Sequence, residues 1–311
     1  MFQNQVTLET ITMHRAQAPY VLESIDWDMP SVTPTTYRVP HQIGESLSGI
    51  VVGTRKPLLT GYVIANTMAD AYKNVGWKEY YALQLEEIKQ NKKILSRVFN
   101  IYQNILISVD GYYMRVRPTS PVKYSTDEVT NNNIMCMFSI ELECYEEPLF
   151  YNKTKIIDLT TIKGMFKFPM TLTEDATDEF VAFGEIERGV AKEIINNGDI
   201  PVGCTITVEA NGGNVQNPKV YDISTGIGIE LTYNIQNGQR VIFTTEIGHE
   251  TAILHQSNGA ENIMVGYLSK ASEFFQIKQG TNYYIATAKS GLNNMFAKIE
   301  FVEKYFAIET M

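Results

Sequence analysis

Along most of this chain, apolar residues recur at every second position in short runs broken by Gly, Asn, Asp and Pro. The clearest run is "IMCMFSIELECYEEP" at 134–148. Met135, Met137, Ser139, Glu141 and Glu143 fall on one side, and Cys136, Phe138, Ile140, Leu142 and Cys144 on the other. Period two with one apolar side predicts a strand with one buried face. "ILISVDGYYMRVRP" at 105–118 contains Asp110-Gly111, the strongest local signal for a two-residue hairpin. "GIVVG" at 49–53 and "LLTGYVIA" at 58–65 read as two strands joined by the charged turn "TRKP" at 54–57. In residues 1–45, Pro19, Pro30, Pro34 and Pro40 punctuate strands and loops and forbid a long helix.

One stretch changes period. In "EYYALQLEEIKQNKKILSRVF" at 79–99, Tyr81, Leu85, Ile88, Leu95 and Phe99 share one helical face. Lys92 lies on the same stripe, so its stem is expected to snorkel. A shorter second helix is a candidate around 66–75. Pro148 ends the alternating strand, and the mixed segment after it marks a boundary between residues 1–150 and 151–311. Beyond it, turn signals such as "NNGD", "NGG", "QNGQ" and "SNGAEN" separate β-branched and aromatic runs. That rhythm predicts an all-β sandwich. "FFQIKQGTNYYIATAKSG" at 274–291 reads as two strands folded back around a polar turn. The fold class expected is therefore mainly β with one prominent helix, in two domains.

The chain has 311 residues, 44% hydrophobic and 20% charged, which is globular composition. Its net charge of −9 argues against direct nucleic-acid recognition, which favours a basic surface. Cys136, Cys144 and Cys204 form no CxxC pair and read as buried apolar residues, as expected in a reducing cytoplasm. No run of about 18 apolar residues occurs, so no membrane insertion is expected. The start of the chain lacks the pattern of an export signal.

Candidate chemistry is sparse. His14, His41, His249 and His255 have no metal-site spacing. The acidic clusters "LECYEE" at 142–147 and "EDATDE" at 174–179 contain enough carboxylates for glycoside hydrolysis, but that chemistry needs two carboxyls held across a cleft. "GGN" at 212–214 and "STGIGIE" at 224–230 match no phosphate loop. No catalytic residue, cofactor or metal is expected. The candidate contacts are instead surface positions. Arg55 and Lys56 lie in the expected exposed turn, and Arg115 and Arg117 alternate onto one strand face, suited to a neighbouring subunit or acidic partner. Tyr283 and Tyr284 are candidate contacts for a sugar or partner protein, since exposed strand aromatics serve such surfaces.

From about residue 185 a series of segments follows in order: "NNGD" (196–199), "TITVEANG" (205–212), "NPKVYDISTG" (217–226), "GQRVIFTTEIG" (238–248), "QGTNYYIATAKSG" (279–291) and "MFAKIEFVEKYFAIE" (295–309). Together they resemble the second domain of the phage distal tail family, the siphovirus-type tail component. "ISVDGYYMRVRPTSPVKY" (107–124) and "FSIELECYEEPLF" (138–150) resemble its first domain. The resemblance implies a tail-ring domain followed by an outward galectin-like or carbohydrate-module-like sandwich. It implies a virion structural protein made in the bacterial host cytoplasm and placed at the distal tail or baseplate. Expected partners are further copies in a ring, usually a hexamer, the tail tube protein, the tail hub or tail-associated protein, and receptor-binding or other baseplate proteins. A long non-contractile tail, a contractile tail and a tailocin all remain open. The rival readings are a carbohydrate-binding host-adhesion module and, from another class, a polysaccharide-degrading enzyme.

Overall fold

The computed structural model describes residues 1–66, 75–132, 134–164, 184–187 and 189–308. The second helix expected around 66–75 and the "EDATDE" cluster lie almost wholly or wholly outside these residues. The chain forms two units, one of Met1–Tyr151 with Phe306–Met311 and one of Asn152–Tyr305.

The first unit holds eleven described strands and one helix. The strands are β1 (Phe2–Asn4), β2 (Thr10–Ile11), β3 (Tyr20–Asp26), β4 (Val32–Tyr37), β5 (Ser46–Val52) and β6 (Leu58–Ile64), then, after helix α1 (Trp77–Val98), β7 (Ile105–Val109), β8 (Tyr112–Pro118), β9 (Lys123–Tyr124), β10 (Met135–Glu143) and β11 (Phe150–Tyr151). Its main sheet runs β2-β1-β7-β8-β10-β6-β3, with β9 on β10 and β11 on β8. β7 and β8 form the expected hairpin: Asp110 and Gly111 have φ of 49° and 86°, the left-handed pair that this turn requires. β10 alternates as its sequence predicts, burying Cys136, Phe138, Ile140 and Leu142.

The runs at 49–53 and 58–65 are strands, but they do not pair with each other. β6 lies between β3 and β10, whereas β5 pairs with β4 in a separate two-stranded ribbon. The helix sits where its period predicts, with a rotated face. Gln84, Ile88, Leu95 and Val98 are buried, while Tyr81 and Leu85 are exposed. Specific polar ties set that rotation. The Tyr20 hydroxyl donates to the Asn91 carbonyl at 3.0 Å, and the Tyr124 hydroxyl donates to the Lys92 carbonyl at 2.8 Å. Burial pushes both tyrosine pKa values up to about 12, so the hydroxyls remain protonated donors. Lys92 places its ammonium 5.1 Å from the Tyr124 ring centroid, and its Nζ reaches Asn131 at 3.3 Å. At the helix end, buried Asn4 donates to the Val98 carbonyl at 2.9 Å and accepts from the Val6 and Thr7 amides. An orphan carbonyl of the last turn is thereby satisfied.

The second unit comprises β12 (Lys155–Asp158), β13 (Thr161–Gly164), β14 (Gly184–Glu187), β15 (Lys192–Asn196), β16 (Cys204–Ala210), β17 (Val215–Asp222), β18 (Gly228–Glu230), β19 (Asn234–Ile235), β20 (Arg240–Thr244), β21 (Thr251–His255), β22 (Glu261–Ile263), β23 (Gly280–Ser290), β24 (Met295–Phe301) and β25 (Lys304–Tyr305). One sheet runs β12-β24-β16-β20-β21-β22 and another β15-β23-β17-β18, with β19 on β17. β13 pairs with β14. The two larger sheets share one core, to which Ile206, Phe243 and Ile299 contribute from the first and Ile194, Val220 and Tyr284 from the second. This is a sandwich.

Residues 274–291 are not a hairpin. Only Gly280–Ser290 forms a strand, β23, placed centrally between β15 and β17; the preceding run touches the sheet region through the isolated Ile277–Val202 bridge. The polar turn read there instead separates an irregular segment from one long strand.

The "NNGD" turn has a structural explanation. Buried Asn196 donates to the Ile200 and Ile277 carbonyls, and its Oδ1 accepts from the Gly198 amide at 2.9 Å. A Cβ on Gly198 would lie 2.7 Å from the Lys304 carbonyl oxygen. The Asn197 amide donates to Glu303 at 2.8 Å. Glu303, 1% exposed, also accepts from Lys155, Asn152 and Tyr305. Burial acts to raise its pKa, but these hydrogen bonds, led by Lys155, outweigh burial and hold it below the usual value.

Candidate functional site

The sequence-derived contact residues do not form one site. Arg55 is fully buried, which corrects the expectation of an exposed turn. Its backbone pairs with Cys144, whose amide donates to the Arg55 carbonyl at 2.9 Å. Its guanidinium carbon stands 4.9 Å from the Phe150 ring centroid, and Nη2 donates to the Phe306 carbonyl. Burial lowers its pKa, opposed by the nearby Cys144 and Asp28. Arg55 therefore fastens Phe306 within the first unit. Lys56 is exposed, with its ammonium 3.7 Å from Glu143.

Arg115 and Arg117 do project onto one exposed side of β8, alternating with buried Met114 and Val116. Arg115 lies 3.6 Å from Glu146, and Arg117 Nε donates to Asn104 at 3.0 Å. Such solvated pairs contribute little to stability and leave the face open to a partner. Adjacent Tyr283 and Tyr284 point to opposite faces of β23. Tyr283 is 43% exposed, with its hydroxyl 3.4 Å from Glu193. Tyr284 is 1% exposed and stacks on Phe275 at 4.9 Å, which removes it as a surface contact. Burial drives its pKa upward. The three cysteines are buried free thiols. Among the described residues no metal-binding cluster of His, Cys, Asp or Glu occurs, and no helix is long and apolar enough to cross a membrane.

The feature not singled out in the sequence is the β4–β5 ribbon. It arises in the connection between the neighbouring strands β3 and β6, and its base is fastened by the Gly53 amide donating to the Ser31 carbonyl at 2.7 Å. Cross-strand register puts Val32 with Val52, Pro34 with Ile50 and Thr36 with Leu47 on one side. Val32, Leu47, Ile50 and Val52 are 56%, 59%, 59% and 38% exposed. A β-bulge between Thr35 and Thr36 gives Ser48 no cross-strand partner; its hydroxyl donates to the Thr35 carbonyl at 2.8 Å. A two-stranded ribbon is marginal in water, and exposed edges invite pairing. The sequence signal was apolar residues in both alternation classes of "GIVVG", which cannot all face one sheet's core.

Residues 197–305 match the family model described as siphovirus-type tail component, C-terminal domain. That match covers about a third of the chain, and it is there that the chain is similar to the siphovirus-type tail component family. The match spans the sandwich from the "NNGD" turn to β25. The match supports the resemblance to the phage distal tail family read from the order of turns and strands in this half of the sequence. No curated protein matches the chain. Its fold is similar to that of the crystal structure of SPP1 Dit (gp 19.1), described as a paradigm of the hub adsorption apparatus in phages infecting Gram-positive hosts. The TM-score is 0.60 at 12% identity, covering 98% of this chain and 99% of that one. A chain of the phage P2 baseplate in its activated conformation with Ca gives a TM-score of 0.40 at 9% identity, covering 91% and 90%. The family and structures matched here indicate no enzyme family.

Proposed function

We propose that this tail component assembles as a closed ring of identical subunits, six by the count that the family resemblance implies. The ring joins the tail tube to the hub and the host-recognition apparatus. The observation that carries this reading is the β4–β5 ribbon. A solvent-facing apolar ribbon needs a partner surface, and the most available partner for a repeated structural subunit is the next copy. If each ribbon docks on a different patch of its neighbour, the contact is heterologous, and rotation that returns to the start closes a ring. The described strands are about 20 Å long at the rise of antiparallel strands, a useful reach for such a contact.

The exposed arginine pair of β8 supports the same reading as a second contact, to an acidic surface of the tube, hub or neighbouring subunit. The sandwich is the module that holds receptor-binding or other baseplate proteins. In this account the protein works by rigid placement and catalyses nothing. Negative-stain imaging of the purified chain tests it: closed rings with a central channel are expected. Open filaments or compact dimers would show that the ribbon contact does not close, and would refute the ring.

A further inference from the structure

We propose that the solvent face of the sheet containing β16, β20, β21 and β22 carries a binding site for one neutral sugar ring, formed by Glu209, Arg240, His255 and Gln256. A pocket of 220 Å³ lies at this end of the sheet, lined by Glu209, Gly238, Arg240, His255, Gln256 and Gly259. The walls contain polar side chains and glycines, with no apolar side chain.

Strand register builds the row. Glu209 pairs with Arg240, Arg240 with His255, and His255 with Glu261. Paired residues share a sheet face, so four polar side chains from four strands stand in line. The turns at either side bring glycine backbone to the pocket: Gly238 and Gly259 have φ of 80° and 84°. Ser257 Oγ donates to the Gly238 carbonyl at 3.1 Å and links the two turns.

The side chains are available for a ligand. Among the described residues, Glu209, Arg240 and Gln256 direct no side-chain hydrogen bond or ion pair to another residue. Glu209 and Arg240 do not pair with each other despite facing positions. His255 Nδ1 lies 3.1 Å from Glu261. With that nitrogen engaged, Nε2 remains for a ligand.

The chemistry selects the ligand class. A carboxylate, a guanidinium, an imidazole and an amide offer acceptors and donors side by side, and sugar hydroxyls both donate and accept. Glu209 and Glu261 oppose an anion, and Arg240 opposes a cation, so a neutral ligand fits best. A peptide anchor needs an apolar pocket, which these walls do not supply. The volume lies below the ~300–1,000 Å³ of pockets for drug-sized ligands, which suits a single ring.

This site lies on the opposite sheet of the sandwich from Tyr283. It does not rest on ring assembly. The test is saturation-transfer NMR on the full chain with the methyl glycosides of glucose, galactose, rhamnose and N-acetylglucosamine, and with glycerol phosphate as the anionic probe. At least one neutral glycoside is expected to receive saturation. Glu209→Gln, Arg240→Ala and Gln256→Ala should each weaken its binding about tenfold or more, a typical loss of one good polar contact, while Tyr283→Ala retains it. No transfer to any neutral glycoside, transfer to glycerol phosphate alone, or transfer that survives all three pocket substitutions would overturn the proposal. Unchanged thermal unfolding of the variants excludes misfolding as the cause, since these side chains hold nothing else in place.

Discussion

Replacing Ile50 by Asp on the β4–β5 ribbon should abolish ring assembly without harming the subunit. Complete burial of an aliphatic side chain contributes about 1.5–3 kcal/mol. Val32, Leu47, Ile50 and Val52 retain 56%, 59%, 59% and 38% of their surface in water. Roughly half of the full effect is thus still to be gained, about 1 kcal/mol each and about 4 kcal/mol per subunit contact. Ile50→Asp removes about 1 kcal/mol of that and forces a carboxylate into an apolar contact, adding about 2 kcal/mol. The sum, about 3 kcal/mol, weakens each contact roughly 150-fold. Ile50→Thr loses only the burial and should weaken it about fivefold. Sedimentation velocity over a concentration series reads both shifts, with thermal unfolding as the control. The subunit's own stability should change by less than about 0.5 kcal/mol, because Ile50 is exposed. Assembly of Ile50→Asp at the wild-type concentration would refute the assignment of the ribbon to the contact.

Three further outcomes follow from the fold. Glu303→Gln should cost the second unit about 3 kcal/mol at neutral pH, since an amide cannot accept from all four donors and the Lys155 ammonium loses its counter-charge. Because the folded-state pKa of Glu303 is lowered, its stabilisation is present above the unfolded value of about 4.3 and is lost as pH falls through the folded pKa. Calorimetry at pH 7 and pH 3 should therefore show the deficit of Glu303→Gln shrinking in acid; a constant deficit would contradict the network. Gly61→Ala should destabilise the first unit by about 2 kcal/mol or more in chemical unfolding, because its Cβ would stand 2.4 Å from the Val21 carbonyl oxygen and 2.8 Å from the Phe138 ring; a loss below about 0.5 kcal/mol would show that β6 shifts freely. Tyr284→Ala should cost about 3–5 kcal/mol through the cavity it leaves, whereas Tyr283→Ala should stay within about 1 kcal/mol, measured by urea titration. Equal effects would mean that β23 does not present its two tyrosines to opposite faces.

What the sequence made legible was local. β10 shows its buried face because period two repeats over nine residues, and the β7–β8 turn is encoded by Asp110-Gly111 alone. The helix was legible in place but not in rotation. Tyr20, Asn4 and Tyr124 determine which side meets the sheet, and none of them lies in the helix. Arg55 looked like a surface charge because "TRKP" reads as a turn; its burial depends on Phe150 and Phe306, far away in sequence. Tyr283 and Tyr284 were indistinguishable as neighbours, and only the register of β23 decides which one enters the core. The polar pocket was hidden for the same reason. Glu209, Arg240 and His255 each adjoin a polar Gly-containing turn, a signal present in the sequence, but only strand pairing sets them in one row. The order of turns and strands through the sandwich carried the family signal, and the matched domain begins at the "NNGD" turn.

The central proposal is that this chain closes into a ring through a contact between its own copies. The most direct measurement is the native mass of the purified full chain by light scattering across a wide concentration range. The account predicts a discrete species near six times the 35.2 kDa chain mass, replaced by the single-chain mass in Ile50→Asp. A wild-type mass that remains at 35.2 kDa at every concentration would contradict it.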